Sequence, residues 1–314
     1  MEKIVERTKS VNDIFLPILR KLYGKWSVAL VLLFSGLGYW FFWSSSDYFC
    51  IPVKIDDYWG CPILQMEIGK KTYQVQLNLG FDLSSLNRRD LRELEKRYCG
   101  IYSAIDALGN KHDRSSYEVL GAKLKGFKVP KIEIHEELPE VIASGDPEKI
   151  SSCGHLGRGA FNGENYLLDF ASSRIIICKN FKDLVKLGFD LKSFVEVPFK
   201  VNTAGICFRV ETDIGEKTLF LDTNSQCCLR FPREKETLSI DNSRSLPAWS
   251  SQKFALNGHE FGPRKFVLFE ISPLLDMIDG SLGMDFLKQH AIYIDSEKSI
   301  AYIQKSSAPS LPKA

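Results

Sequence analysis

Apolar and polar positions alternate along much of the chain beyond residue 60, at the two-residue period of strands. Ile63-Leu64-Gln65-Met66-Glu67-Ile68 and Tyr73-Gln74-Val75-Gln76-Leu77 flank Gly69-Lys70-Lys71, which predicts a hairpin. Val119 to Ile134 continues the alternation, with Pro130 marking an edge. Ala104 to His112 carries a Gly109-Asn110 turn, and Phe254 to His259 with Lys265 to Phe269 predicts a further hairpin. Helical spacing is confined to two stretches. Asn87 to Tyr98 has a capping Asn87, Leu91, Leu94 and Tyr98 on one face, and Gly100 as a stop. Phe181 to Val195 reads as a short helix plus a connection. Glu136 to Lys149, with Pro139 and Pro147, and Pro232 to Ser251, with Pro247, read as loops. Residues 306–314 offer almost nothing to build a core from.

The N-terminus follows another pattern. Residues 1–25 form a basic leader with Lys3, Arg7, Lys9, Arg20, Lys21 and Lys25, and a short amphipathic run at Ile14 to Leu19. Trp26 to Trp43 is then uncharged and apolar on every face, which argues against a buried globular helix. Its length suits a hydrocarbon core of about 30 Å, with Trp26, Tyr39, Trp40 and Trp43 in the interfacial belts. The expectation is a single-pass anchor at 26–43, with a cytoplasmic N-terminus and an extracytoplasmic remainder. Ser44-Ser45-Ser46 leaves open a cleaved signal peptide, although the apolar run is long for one. Residues 44–60 read as a polar linker.

Composition narrows the function classes. The net charge of +2 shows no nucleic-acid footprint. No metal-ligand spacing and no cofactor motif is present. Histidines such as His155 and His259 have no partner at a nucleophilic spacing. The eight cysteines all follow the apolar run, which predicts disulfides in an oxidising compartment; buried thiols are the alternative.

A repeat organises the rest. Gly157 and Gly283 are 126 residues apart, as are Asp169 and Asp295. Leu156-Gly157, Leu168-Asp169-Phe170 and Ile175 to Ile177 thus align without a gap on Leu282-Gly283, Ile294-Asp295 and Ile300 to Tyr302. Upstream, Asn78-Leu79-Gly80-Phe81-Asp82 stands 144 residues before the run that opens at Asp222-Thr223-Asn224-Ser225. Two copies of this size suggest two lobes, since solenoid periods run roughly 20 to 50. Lobe 1 is expected at 61–195 and lobe 2 at 196–305.

Asp222-Thr223 after the apolar strand Thr218 to Leu221, followed by the apolar turn at Leu282-Gly283, resembles the lobe signature of the retropepsin/pepsin superfamily of aspartic proteases. That signature is Asp-Thr-Gly-Ala/Ser with a later apolar-apolar-Gly. The resemblance spans roughly residues 60–304. It implies a mainly β, two-lobed acid-protease-like double β-barrel with short helices, beside the one N-terminal transmembrane helix. It implies Asp222 as a catalytic carboxylate, with Thr223 in the inter-loop hydrogen-bonding position. It further implies a closing hairpin around Leu108 and Gly109, with Tyr102 or Tyr117 as its aromatic. Gly80 and Asp82 would contact an extended peptide or protein segment.

The first copy departs from the signature. Asn78 stands where the other aspartate belongs and Leu79 where the threonine belongs. Asn224 replaces a glycine, at a position where asparagine tolerates positive φ better than most residues. Three readings stay open. The first is a catalytically impaired, peptide-binding pseudoprotease. The second is an active aspartic endopeptidase, using Asp222 with Asp82 or with a second chain in a homodimer. The third is a structural envelope or assembly protein that keeps only the scaffold.

Overall fold

The computed structural model describes residues 48–58, 60–105, 111–129, 131–136, 153–232, 246–269 and 277–305. The chain there is built from two sheets, of 10 and 14 strands among the described residues. The expected β class holds because alternation puts Leu64, Met66, Val75 and Leu77 into one core and leaves Gln65, Glu67 and Gln74 in water. Strands Pro62–Ile68 and Lys71–Asn78 form the expected hairpin, in register from Ile63–Gln76 to Ile68–Lys71.

The C-terminal end of Lys71–Asn78 runs parallel to Gly154–Gly157, pairing Leu77 with Leu156 and Asn78 with Gly157. Gly154–Gly157 also pairs antiparallel with Ser84–Leu86, which runs parallel to Ile132–Glu136. Later in the chain, Gly215–Leu221 runs parallel to Gly280–Leu282. Gly280–Leu282 pairs antiparallel with Leu229–Arg230, which runs parallel to Arg264–Leu268. In each case the chain leaves one strand, loops out, and a later strand threads between the two. The 14-stranded sheet that holds the second of these begins with the strands Tyr48–Pro52, Arg174–Cys178, Tyr166–Asp169, Ile292–Asp295, Ile300–Gln304 and Phe194–Asn202, in that order. Leu167, Ile176 and Tyr293 are buried on one face, and Leu168, Ile175 and Ile294 in the main core on the other.

Several expectations change. Residues 48–55, read as part of a linker, form strands Tyr48–Pro52 and Lys54–Ile55, because Ile51 and Val53 are buried. The helix expected over 87–98 is only Arg88–Arg92. It is capped by Asn87 Oδ1 on Asp90 N, and Tyr98 has left for the strand Arg97–Ile105. Phe181–Leu187 and Leu191–Ser193 are 3-10 turns, separated at Gly188, which adopts φ 87°. Phe254–Leu256 hairpins with His259–Glu260. Arg264–Leu268 pairs instead with Ala248–Ser251, inside the stretch expected to be a loop.

No disulfide joins any of the eight cysteines, which overturns the expected bridges. The buried ones find polar partners instead. Cys61 Sγ donates to Asn224 O at 3.3 Å, Cys207 Sγ to Asn202 Oδ1 at 3.3 Å, and Cys228 Sγ to Asp285 Oδ1 at 3.1 Å. Burial pushes the Cys61 and Cys207 thiols up to about 11 and Cys178 up to about 12. Among the described residues no helix is long and apolar enough to cross a membrane. The expected anchor at 26–43, and Leu108 and Gly109, lie outside the described residues.

Candidate active site

Two loops meet at the ends of the strands that pair with the threaded ones. Asn78 closes the strand Lys71–Asn78, and Asp222 follows the strand Gly215–Leu221. Asn78 Oδ1 accepts from Gly80 N at 3.2 Å. Asp222 Oδ1 accepts from Asn224 N at 2.9 Å. Amide and carboxylate thus hold the same place in their loops and make the same bond two residues on.

Thr223 ties the loops together. Its hydroxyl donates to Leu77 O at 2.7 Å and accepts from Leu79 N at 3.1 Å. The clasp is one-sided, because Leu79 has no hydroxyl to return; its side chain is fully buried in the core. Thr223 is also fully buried, so both bonds are shielded from water.

Asp222 is half-buried, and burial raises its carboxyl above the usual carboxylate range. The amides of Asn224 and Ser225 and the Ser281 hydroxyl oppose that rise. Among the described residues no second carboxylate is among the groups that set its acidity, as a like-charged dyad partner would be. The Cys61 thiol sits near enough for the charge of Asp222 to help raise it.

Asp82 points elsewhere. It is exposed and pairs with Arg158 at 3.3 Å, while its own carbonyl accepts from Gly159 N at 2.9 Å. It lines a groove of about 290 Å³ whose other walls include Ser84, Lys131 and Glu133. Gly80 is favoured by space rather than by φ. Neither Gly80 nor Asn224 has a left-handed backbone, and a Cβ on Gly80 would stand 3.2 Å from the Phe220 ring. Asn224 therefore fills its position without backbone strain. Strands Arg97–Ile105 and Lys111–Val119 form the hairpin beside the first loop, with Ile105 opposite Lys111. Tyr102 is the aromatic of this hairpin that lies near Asp82. Its ring lies 5.4 Å from that of His135, and burial, with the Asp82 charge, raises its hydroxyl. Tyr117 instead meets Tyr98 at 5.9 Å.

Sequence reasoning brought together Asn78, Gly80, Asp222 and Thr223, and missed Ser281, Cys61 and Phe220. Ser281 directly precedes Leu282-Gly283, so its place beside Asp222 was available from the motif. Nothing in the spacing of Cys61 points to the site, and Phe220 counted only as part of the apolar strand before Asp222. Among the described residues no three His, Cys, Asp or Glu side chains converge as a metal site.

No protein-family model matches the chain, and no curated protein does. Solved structures do. The aspartic proteinase from Irpex lacteus superposes with a TM-score of 0.54 at 11% identity, over 83% of this chain and 98% of its own. Basic 7S globulin from soybean superposes with a TM-score of 0.52 at 11% identity, over 82% of this chain and 95% of its own. At such identity the likeness is one of fold, and that fold is pepsin-like.

Proposed function

We propose that the chain is a membrane-anchored, extracytoplasmic aspartic-protease-like protein that holds an extended peptide and is impaired in cleaving it. One observation carries this reading: Asn78 makes in the first loop the bond that Asp222 makes in the second. Peptide hydrolysis on this fold needs two carboxylates sharing one proton, one as base on a water and one as donor to the substrate carbonyl. An amide offers an acceptor and two donors but cannot take up the proton. Asp222 retains its burial and its hydrogen bonds, so the loop pair still offers polar groups to a backbone. A peptide would lie extended between Asn78 and Asp222 under the Tyr102 hairpin, with strand-like hydrogen bonds. Asp82 is poorly placed as a substitute base, since it is exposed and paired with Arg158.

The test is peptide cleavage by the full chain in detergent, from about pH 3 to about pH 7, where a one-proton dyad works. Wild type should cleave no faster than Asp222→Asn, and Asn78→Asp should gain cleavage that the added Asp222→Asn removes. Wild-type cleavage that disappears in Asp222→Asn would establish an active protease. If no extended peptide binds saturably, the protein is a scaffold only.

A further inference from the structure

The hairpin formed by Lys123–Leu124 and Phe127–Lys128 combines two features that each cost stability. Lys123 and Lys128 sit directly opposite each other, where like charges repel. The turn between them is Lys125-Gly126, with φ 47° at Lys125, a backbone region that asparagine or glycine fills at lower cost. Leu124 and Phe127 are buried, so the hairpin is fixed to the core and presents Lys123, Lys125 and Lys128 outward. Glu67 lies across from Lys123 on the neighbouring strand and is itself exposed. Among the described residues none of the three ammonium groups forms an ion pair. Three cations kept together in the face of repulsion and backbone strain call for an anionic counterpart outside the described chain.

The chain itself indicates which one. Phe49, 43% exposed, packs its ring edge-on against Phe127 at 5.6 Å. Phe49 lies six residues beyond Trp43, the end of the apolar run. Six residues reach at most about 20 Å. A hairpin touching Phe49 is therefore leashed to the bilayer that the run would span. Leu120, 70% exposed and three residues before Lys123, offers an apolar group to the same boundary. We infer that the Lys123–Lys128 hairpin, with Phe49 and Leu120, docks on the anionic phospholipid headgroups of the leaflet from which the chain emerges. This rests on the membrane-anchor reading. Tethering supplies a high local concentration of that surface, so the contact need be only moderately strong. It would hold the domain in a fixed attitude to the membrane.

The test is hydrogen exchange of the full chain in nanodiscs of phosphatidylcholine, alone or mixed with phosphatidylglycerol. Amides of residues 122–129 should exchange about tenfold or more slowly in the anionic discs, since lysines are attracted to an anionic lipid surface. High salt should abolish the difference. The triple variant Lys123→Gln, Lys125→Asn, Lys128→Gln should lose it while melting no lower than wild type, since it removes both costs. Equal exchange in the two discs overturns the proposal, including the case where an acidic protein is the partner. Alkaline extraction separates the premises. A chain released by alkali refutes the anchor, and the hairpin is then judged by sedimentation with vesicles of the two compositions. Binding to neither vesicle, or to both equally, overturns it.

Discussion

Thr223 is the residue on which the two loops depend, because its one hydroxyl satisfies both Leu77 O and Leu79 N in a dry environment. Thr223→Val keeps the shape and strands both backbone groups. The expected cost is about 2 to 3 kcal/mol, read as a lower midpoint in denaturant. A change within about 0.5 kcal/mol would mean that the clasp contributes nothing. Asp222 gives a pH-dependent signature. Its carboxyl is raised by burial, so the folded state keeps a proton that the unfolded chain releases. That stabilisation is complete below the unfolded value and is lost as pH rises through the folded one. At neutral pH an ionised Asp222 is a burden, and Asp222→Asn removes it. The melting temperature of Asp222→Asn relative to wild type should therefore increase from about pH 4 to about pH 7. A constant difference would show that the carboxyl is not raised. Both residues were legible in the sequence, since Asp-Thr after an apolar strand is a local pattern. The burial of Leu79 and the approach of Cys61 to Asn224 were not, because they depend on segments far apart in the chain.

The elements that build the site are two threaded strands, and each passes its crossing at a glycine. A Cβ on Gly157 would stand 2.3 Å from Leu83 O, and one on Gly283 would stand 2.2 Å from Cys227 O. Backbone cannot yield as a side chain can, so Gly283→Ala should cost about 3 kcal/mol or more. Gly163 is a fair control. It has φ 79° and nothing within 4 Å of its would-be Cβ, so only backbone strain of about 1 kcal/mol opposes Gly163→Ala. Comparable losses for the two variants in urea melts would contradict the crossing as the cause. At this scale the sequence was informative where the signal was local and regular. The 62–78 hairpin follows from alternation around Gly69. The helix at Asn87 was overextended because Leu91, Leu94 and Tyr98 fit a helical face. Pairing with Tyr117 claims Tyr98 for a strand instead. The strand Tyr48–Pro52 was missed, since its place beside Arg174–Cys178 depends on residues more than 120 positions away.

For the whole molecule, the cysteines bear on how the fold is held. Small extracytoplasmic domains often need crosslinks, because their cores are too small to stabilise them. Here two sheets share a continuous core from Ile51 to Ile303, and the 14-stranded sheet joins strands from early and late in the chain. Such a core leaves the thiols free to act as small apolar side chains, and Cys61, Cys178, Cys207 and Cys228 are buried in that way. Burial also keeps them protonated, hence slow toward electrophiles. Cys50 and Cys99 are exposed, and Cys153 and Cys227 are half-buried. Purified without reductant, the native chain should therefore give two fast equivalents with a thiol reagent, and all eight once unfolded. Fewer than eight in denaturant would reveal bridges. If the missing pair includes a buried cysteine, strands now separate would have to move together, and the register around Asn224 or Asp285 would change with them. If only Cys50 and Cys99 are missing, the bridge joins exposed surfaces and leaves the core as described.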